Sequence, residues 1–243
     1  LLVALLATWL LRPPPVEAPT RRYAVSLPPD ASYVNFGSGE LAISPDGSRF
    51  LYPGGPSRDK VTTIIQDRDQ LTGRTIPAMN DAYSHTFSPD GQRIAFREGR
   101  LGAIRTMAAD GSAPTTLLDS LPGSRAGGLS WGRDGYLYTP GTLRGRGILF
   151  RISEAGGAPE PVTAADSSPG TIAHLSPVAL PNGRGVLYVD WHGPTRGNDN
   201  WIMAWDLKRN RAIRLVQGLQ AWYLEAGFLL VLRPNGAAVV VPF

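Results

Sequence analysis

Apolar residues along this chain come in short, strand-length runs separated by turn residues, and the arrangement repeats. Leu41-Ala42-Ile43 and Arg49-Phe50-Leu51-Tyr52 flank Ser44-Pro45-Asp46-Gly47, and the same plan returns at Phe87-Ser88-Pro89-Asp90-Gly91-Gln92-Arg93-Ile94-Ala95-Phe96. The turn glycines Gly47, Gly91, Gly135, Gly183 and Gly227 are 44, 44, 48 and 44 residues apart. Asp46, Asp90, Asp134, Asn182 and Ala226 precede them, and Pro45, Pro89, Arg133, Pro181 and Glu225 stand one position earlier. Proline presets the first corner of a type I turn and Asp or Asn suits the second. Glycine then takes the left-handed conformation that closes a three-residue hairpin loop with a bulge.

Between these hairpins lie further strand pairs. Val61-Thr62-Thr63-Ile64-Ile65 is β-branched and leads through Leu71-Thr72-Gly73 to Arg74-Thr75-Ile76. Ile104-Arg105-Thr106-Met107 turns at Asp110-Gly111 into Thr115-Thr116-Leu117-Leu118, and Trp201-Ile202-Met203-Ala204-Trp205 turns into Ala212-Ile213-Arg214-Leu215. Each repeat therefore carries four strands, except the fifth, which stops at Val239-Val240-Val241-Pro242-Phe243 without its fourth. A period near 44 with four strands per unit predicts an all-β propeller of four-stranded antiparallel blades. About five blades are expected here, as part of a ring of six truncated at both ends. No stretch after residue 20 holds a 3.6-residue apolar period, so very little helix is expected.

The first eleven residues, Leu1 to Leu11, are apolar, with Trp9 near their end and Arg12 just outside. That is about half of the ~20 residues a membrane-crossing helix needs. Residues 1–11 read as the C-terminal part of a transmembrane helix, with a signal-peptide core or a buried segment as the other readings. A proline-rich spacer follows at 12–22, and the propeller is expected over 23–243. The numbering then begins inside a longer polypeptide, which would cross the bacterial inner membrane once and carry the propeller on its extracytoplasmic side. Arg12, Arg21 and Arg22 oppose that orientation, because basic flanks favour the cytoplasm.

Composition refines the picture only slightly. With 42% hydrophobic and 18% charged residues the chain can bury a core. Of 24 basic residues only Lys60 and Lys208 are lysine. The arginines are spread along the chain rather than gathered on a stripe, so nucleic acid is not an expected partner. The absence of cysteine excludes disulfides and Cys-ligated zinc. The three histidines, His85, His174 and His192, lack metal-ligand spacing, and neither a metal nor a cofactor is expected. Gly128-Leu129-Ser130-Trp131-Gly132 matches a nucleophile-elbow pattern, but a strand follows it instead of a helix, so Ser130 reads as an inner-strand residue.

Ser44-Pro45-Asp46-Gly47 and Ser88-Pro89-Asp90-Gly91 resemble the repeats of TolB-like propellers, relatives of the WD-repeat class. The apolar segment, Leu27-Pro28, Leu129-Ser130-Trp131-Gly132, Leu180-Pro181-Asn182-Gly183 and the terminal Val241-Pro242-Phe243 are similar to the extracytoplasmic propeller of bacterial transmembrane serine/threonine protein kinases. That resemblance implies a non-catalytic sensor or protein-interaction domain, in a fragment lacking its kinase domain. A free periplasmic TolB-like binding protein and the propeller of a prolyl-oligopeptidase-type peptidase are the alternatives. Kinase signatures are absent from these residues, so catalysis is expected of none of them.

A ligand would sit where residues just before the innermost strands open on the face opposite the repeat turns. Asp81, Tyr83, His85, Arg125 and His174 supply a carboxylate, a phenol, two imidazoles and a guanidinium there. Together they suit a small polar or peptidic ligand, or a protein partner.

Overall fold

The computed structural model describes residues 41–243 except 58–59, 100, 122–126, 165–169 and 197–198. The expectations for residues 1–11, for the spacer at 12–22 and for Arg125 lie outside the described residues.

Five antiparallel sheets follow one another, each with its strands in chain order. Blade 1 holds β1 (Ala42–Ile43), β2 (Arg49–Ser57), β3 (Lys60–Asp67) and β4 (Arg74–Ile76). Blade 2 holds β5 (Ala82–Phe87), β6 (Arg93–Glu98), β7 (Ala103–Ala108) and β8 (Thr115–Leu118). Blade 3 is β9 (Ser130–Trp131), β10 (Tyr136–Leu143), β11 (Arg146–Ser153) and β12 (Glu160–Pro161). Blade 4 is β13 (Ala173–Ala179), β14 (Gly185–Trp191), β15 (Trp201–Asp206) and β16 (Arg211–Gln217). The fifth sheet has three strands, β17 (Gln220–Leu224), β18 (Phe228–Leu232) and β19 (Ala238–Pro242). The first strands contact one another in succession, β1 with β5, β5 with β9, β9 with β13 and β13 with β17. They form the inner ring of a propeller. Among the described residues the single helical element is a 3₁₀ turn at Pro77–Met79. No described helix is long and apolar enough to cross a membrane.

In blades 1 to 4 the second strand is buried on both faces, which explains why these strands read as continuous apolar runs. On β14, Leu187 and Val189 face Ala221, Leu229 and Val231 of blade 5. Its Val186 and Tyr188 face Tyr138 and Leu149 of blade 3. On β6, Ile94 and Phe96 pack against Leu51, Ile65 and Ile76 of blade 1, while Ala95 meets Leu129, Trp131 and Leu137 of blade 3. Each fully buried aliphatic or aromatic side chain of this kind contributes about 1.5–3 kcal/mol. The core is thus a series of inter-blade layers, and outer strands such as β16 are largely exposed.

The five turn glycines are equivalent, with φ between 66° and 83°. Each donates its N–H to the residue three positions back, as in Gly47 to Ser44 O at 2.8 Å and Gly227 to Leu224 O at 3.0 Å. The loops nevertheless come in two lengths, where the sequence predicts one. Trp131 pairs with Leu137 and Tyr223 with Leu229, which gives the expected three-residue loop in blades 3 and 5. In blades 1, 2 and 4 the equivalent pairs are Ile43 with Phe50, Phe87 with Ile94 and Ala179 with Val186, one residue longer. The N–H of the additional residue is satisfied by the turn side chain: Ser48 donates to Asp46 at 3.0 Å, Gln92 to Asp90 at 3.0 Å and Arg184 to Asn182 at 2.9 Å. Proline at the first corner marks these longer loops, and Arg133 or Glu225 replaces it in the shorter ones.

Candidate functional site

The structure distributes the four described ligand candidates over separate surroundings. Asp81 is exposed, with φ 73°, and lines a surface depression with Asn80, Glu98, Leu101 and Asp119. Tyr83 is buried beneath the Arg97 guanidinium, 5.8 Å from its ring centre. His85 is buried and its Nε2–H donates to Leu51 O of blade 1 at 3.1 Å. His174 is buried between blades 3 and 4. Ser130 lies in β9, and its Oγ accepts the Ala179 N–H at 3.0 Å. It stands on an inner strand rather than on a strand-to-helix elbow.

Around His174 a larger polar group assembles. Three residues of one row, Tyr188, Asp190 and His192, alternate along β14 and its extension, so they share the face that meets blade 3. His174 on β13 is the direct cross-strand partner of Asp190. Its ring centre is 4.7 Å from that of Tyr188. From blade 3, the Thr163 hydroxyl accepts the Leu149 N–H at 2.9 Å and shares a 2.7 Å hydrogen bond with His174 Nδ1. Thr171 donates to Asp190 Oδ1 at 2.7 Å. His192 Nε2 stands 3.5 Å from Asp190 Oδ2, too long for a hydrogen bond of good geometry.

This group occupies the ends of β13 and β14 opposite the Gly183 turn. Asp190 and His174 are wholly shielded from solvent. Burial pushes the His174 imidazole down to about 4, against the pull of the Asp190 carboxylate. It is therefore neutral at pH 7. Burial also raises the Tyr188 phenol, and the same carboxylate adds to the effect. Three atoms of the row, Tyr188 Oη, Asp190 Oδ2 and His192 Nε2, are buried without a hydrogen-bond partner among the described residues. Buried polar atoms are paired in the great majority of folded proteins, with ordered water among their partners, so three on one row call for a donor or acceptor that the described residues do not supply. The group's three unpaired atoms offer hydrogen-bonding positions to water or a small polar molecule. No three His, Asp or Glu residues among those described are arranged to hold a metal ion.

A neighbouring buried charge has a structural role. Arg97 is 1% exposed, and donates to Pro140 O at 2.7 Å and Leu121 O at 2.8 Å. Gly102 makes room for it, since a Cβ there would come within 2.7 Å of the Arg97 guanidinium.

With this geometry in view, likeness to solved structures decides the fold. Over 83% of this chain and 50% of the other, it superposes on TolB from Acinetobacter baumannii with a TM-score of 0.64 at 15% identity. A putative TolB from Agrobacterium tumefaciens gives a TM-score of 0.64 at 19% identity over 88% of this chain and 77% of that one. The fold is that of a TolB-like propeller. This propeller spans about half the length of the Acinetobacter protein. It is also similar to a chain from a structural study of two prolyl endopeptidases, with a TM-score of 0.57 and 13% identity, covering 34% of that chain. No protein-family model matches this chain, and no curated protein matches it in sequence.

The sequence pointed to His174 but passed over Thr163, Thr171, Tyr188 and Asp190. The signal was present in Tyr188-Val189-Asp190-Trp191-His192, where polar groups alternate on a strand that otherwise reads as apolar. It becomes legible only once His174 is known to pair with Asp190.

Proposed function

We propose that this chain is a non-catalytic binding propeller on the extracytoplasmic side of a bacterial membrane, serving as the sensory tail of a membrane-anchored serine/threonine protein kinase. The observation that carries the binding role is the blade-4 group, where buried polar atoms without a partner among the described residues lie at the end away from the repeat turns. The membrane and kinase parts rest on the apolar run at 1–11, the proline-rich spacer and the repeat variants that resemble such kinases. The likeness to TolB favours a second reading, a free periplasmic binding protein.

The chain lacks cysteine, which makes its location directly measurable. Asp69 is exposed in the turn after β3 and accepts a substitution without loss of packing. In a full-length protein whose only cysteine is Asp69→Cys, a membrane-impermeant maleimide should label intact spheroplasts as strongly as lysed ones. The labelled protein should also stay with the membrane through an alkaline wash. Labelling that requires lysis would overturn the extracytoplasmic placement, and release by the wash would favour the periplasmic reading.

A further inference from the structure

We propose that the blade-4 group is a binding site for a primary ammonium group, such as that of an amino acid, a peptide N-terminus or an aliphatic amine. The inference rests on the reading of the chain as a binding propeller and names the chemistry of its ligand. The open atoms are a carboxylate oxygen, a phenol oxygen and an imidazole nitrogen, from Asp190, Tyr188 and His192. All three can accept a hydrogen bond, and an ammonium group offers three donors and one positive charge.

The charge balance selects a cation over a neutral donor. Asp190 is fully buried, and its neutral donor is Thr171. Among the described residues no lysine or arginine forms an ion pair with it, and His192 Nε2 lies 3.5 Å from its Oδ2. Arg196, which lies with His192 against Gly170, is engaged by Asp199 at 2.8 Å. His174, across the strand pair, brings no charge to the site at neutral pH. A buried carboxylate is costly unless an opposite charge and hydrogen bonds compensate it. A water molecule could satisfy the three atoms as donors and acceptors, but it leaves the charge standing.

The group lies at the end of the blade away from the Gly183 turn. The side chain of His192 is 10% exposed while that of Asp190 is 1% exposed, so His192 lies between Asp190 and solvent. His192 is held in place by its N–H donating to Asn200 Oδ1 at 2.9 Å, and Asn200 is itself buried.

Thermal unfolding of the 243-residue chain in methylammonium chloride tests the proposal, against sodium, potassium and tetramethylammonium chlorides at equal ionic strength. Methylammonium should raise the midpoint by about 2–4 °C once it exceeds its dissociation constant roughly fivefold. Tetramethylammonium, which has the charge but no donor, should not. Asp190→Asn should abolish the rise, and Tyr188→Phe should weaken apparent affinity about tenfold, the equivalent of one lost hydrogen bond. Equal responses to potassium or tetramethylammonium, or no response to methylammonium, would overturn the assignment. If Asp190→Asn does not fold, Tyr188→Phe decides alone: unchanged affinity refutes the site. External maleimide labelling without a methylammonium response would remove the ammonium site and leave the sensor placement intact.

Discussion

Asp46 shows why the repeat turn has the residues it has. It accepts from the Ser44 hydroxyl at 2.6 Å, the Ser48 N–H at 3.0 Å and the Ser48 hydroxyl at 2.8 Å. Ser44 Oγ in turn accepts the Arg49 N–H at 2.9 Å, so one serine and one aspartate close the whole loop. These bonds, led by that from Ser44, hold the Asp46 carboxyl down at about 2. His174 is the residue whose environment makes the sharper prediction. Its folded value of about 4 lies below the unfolded value near 6.5, so the unfolded chain binds the proton more readily. Stability should be full above about pH 6.5, fall as pH drops towards 4, and change no further through this group below that. The shift corresponds to roughly 3 kcal/mol at most. Urea unfolding at pH 7, 5.5 and 4.5 should show the decline, and His174→Gln should flatten it. A wild-type midpoint constant across that interval would contradict the buried neutral imidazole. The sequence could nominate His174 from its place before an inner strand, but it could not show the burial. Exposure depends on how blade 3 covers the strand, and that contact joins Thr163 to His174 through tertiary packing.

At the scale of strands and blades, the molecule is held by layers between neighbouring sheets, and Arg97 of β6 is a polar rivet in one of them. Its guanidinium reaches Pro140 on β10 of blade 3 and Leu121 in the link between the two blades. Burial lowers its affinity for the proton, offset in part by Tyr83. Among the described residues no carboxylate pairs with it, and backbone carbonyls take that role. Arg97→Ala should leave two buried carbonyls unpaired and a void, costing about 3–5 kcal/mol. Arg97→Lys should lose nearly as much, because an ammonium cannot serve two separated carbonyls as a planar fork does. Chemical denaturation of both variants checks this, and a loss below about 1 kcal/mol would show that the arginine is dispensable. The strands themselves were legible in the sequence: turn chemistry at 44-residue spacing and β-branched runs located them. The two loop lengths and the buried arginine were not. A strand buried on both faces has no polar alternation against which one charged residue near its end would stand out.

For the whole molecule, the five turns occupy one end of the blades, while the group around Asp190 lies at the other end of blade 4. That division separates the repeated turn chemistry from the buried polar group. The fifth sheet follows the same plan with three strands, one face against blade 4 and the other leaving Trp222, Phe228 and Val240 exposed. Fold-level likeness to TolB and to a prolyl endopeptidase chain speaks to architecture, and function must come from the site and from the polypeptide to which the propeller belongs. The sensory-kinase reading is met most directly by phosphate transfer in the full-length protein. Membranes containing it are incubated with radiolabelled ATP, with and without residues 42–243. The account predicts that phosphate enters the protein's own chain and that the level changes when the propeller is deleted. No incorporation, or the same level with and without the propeller, would contradict it.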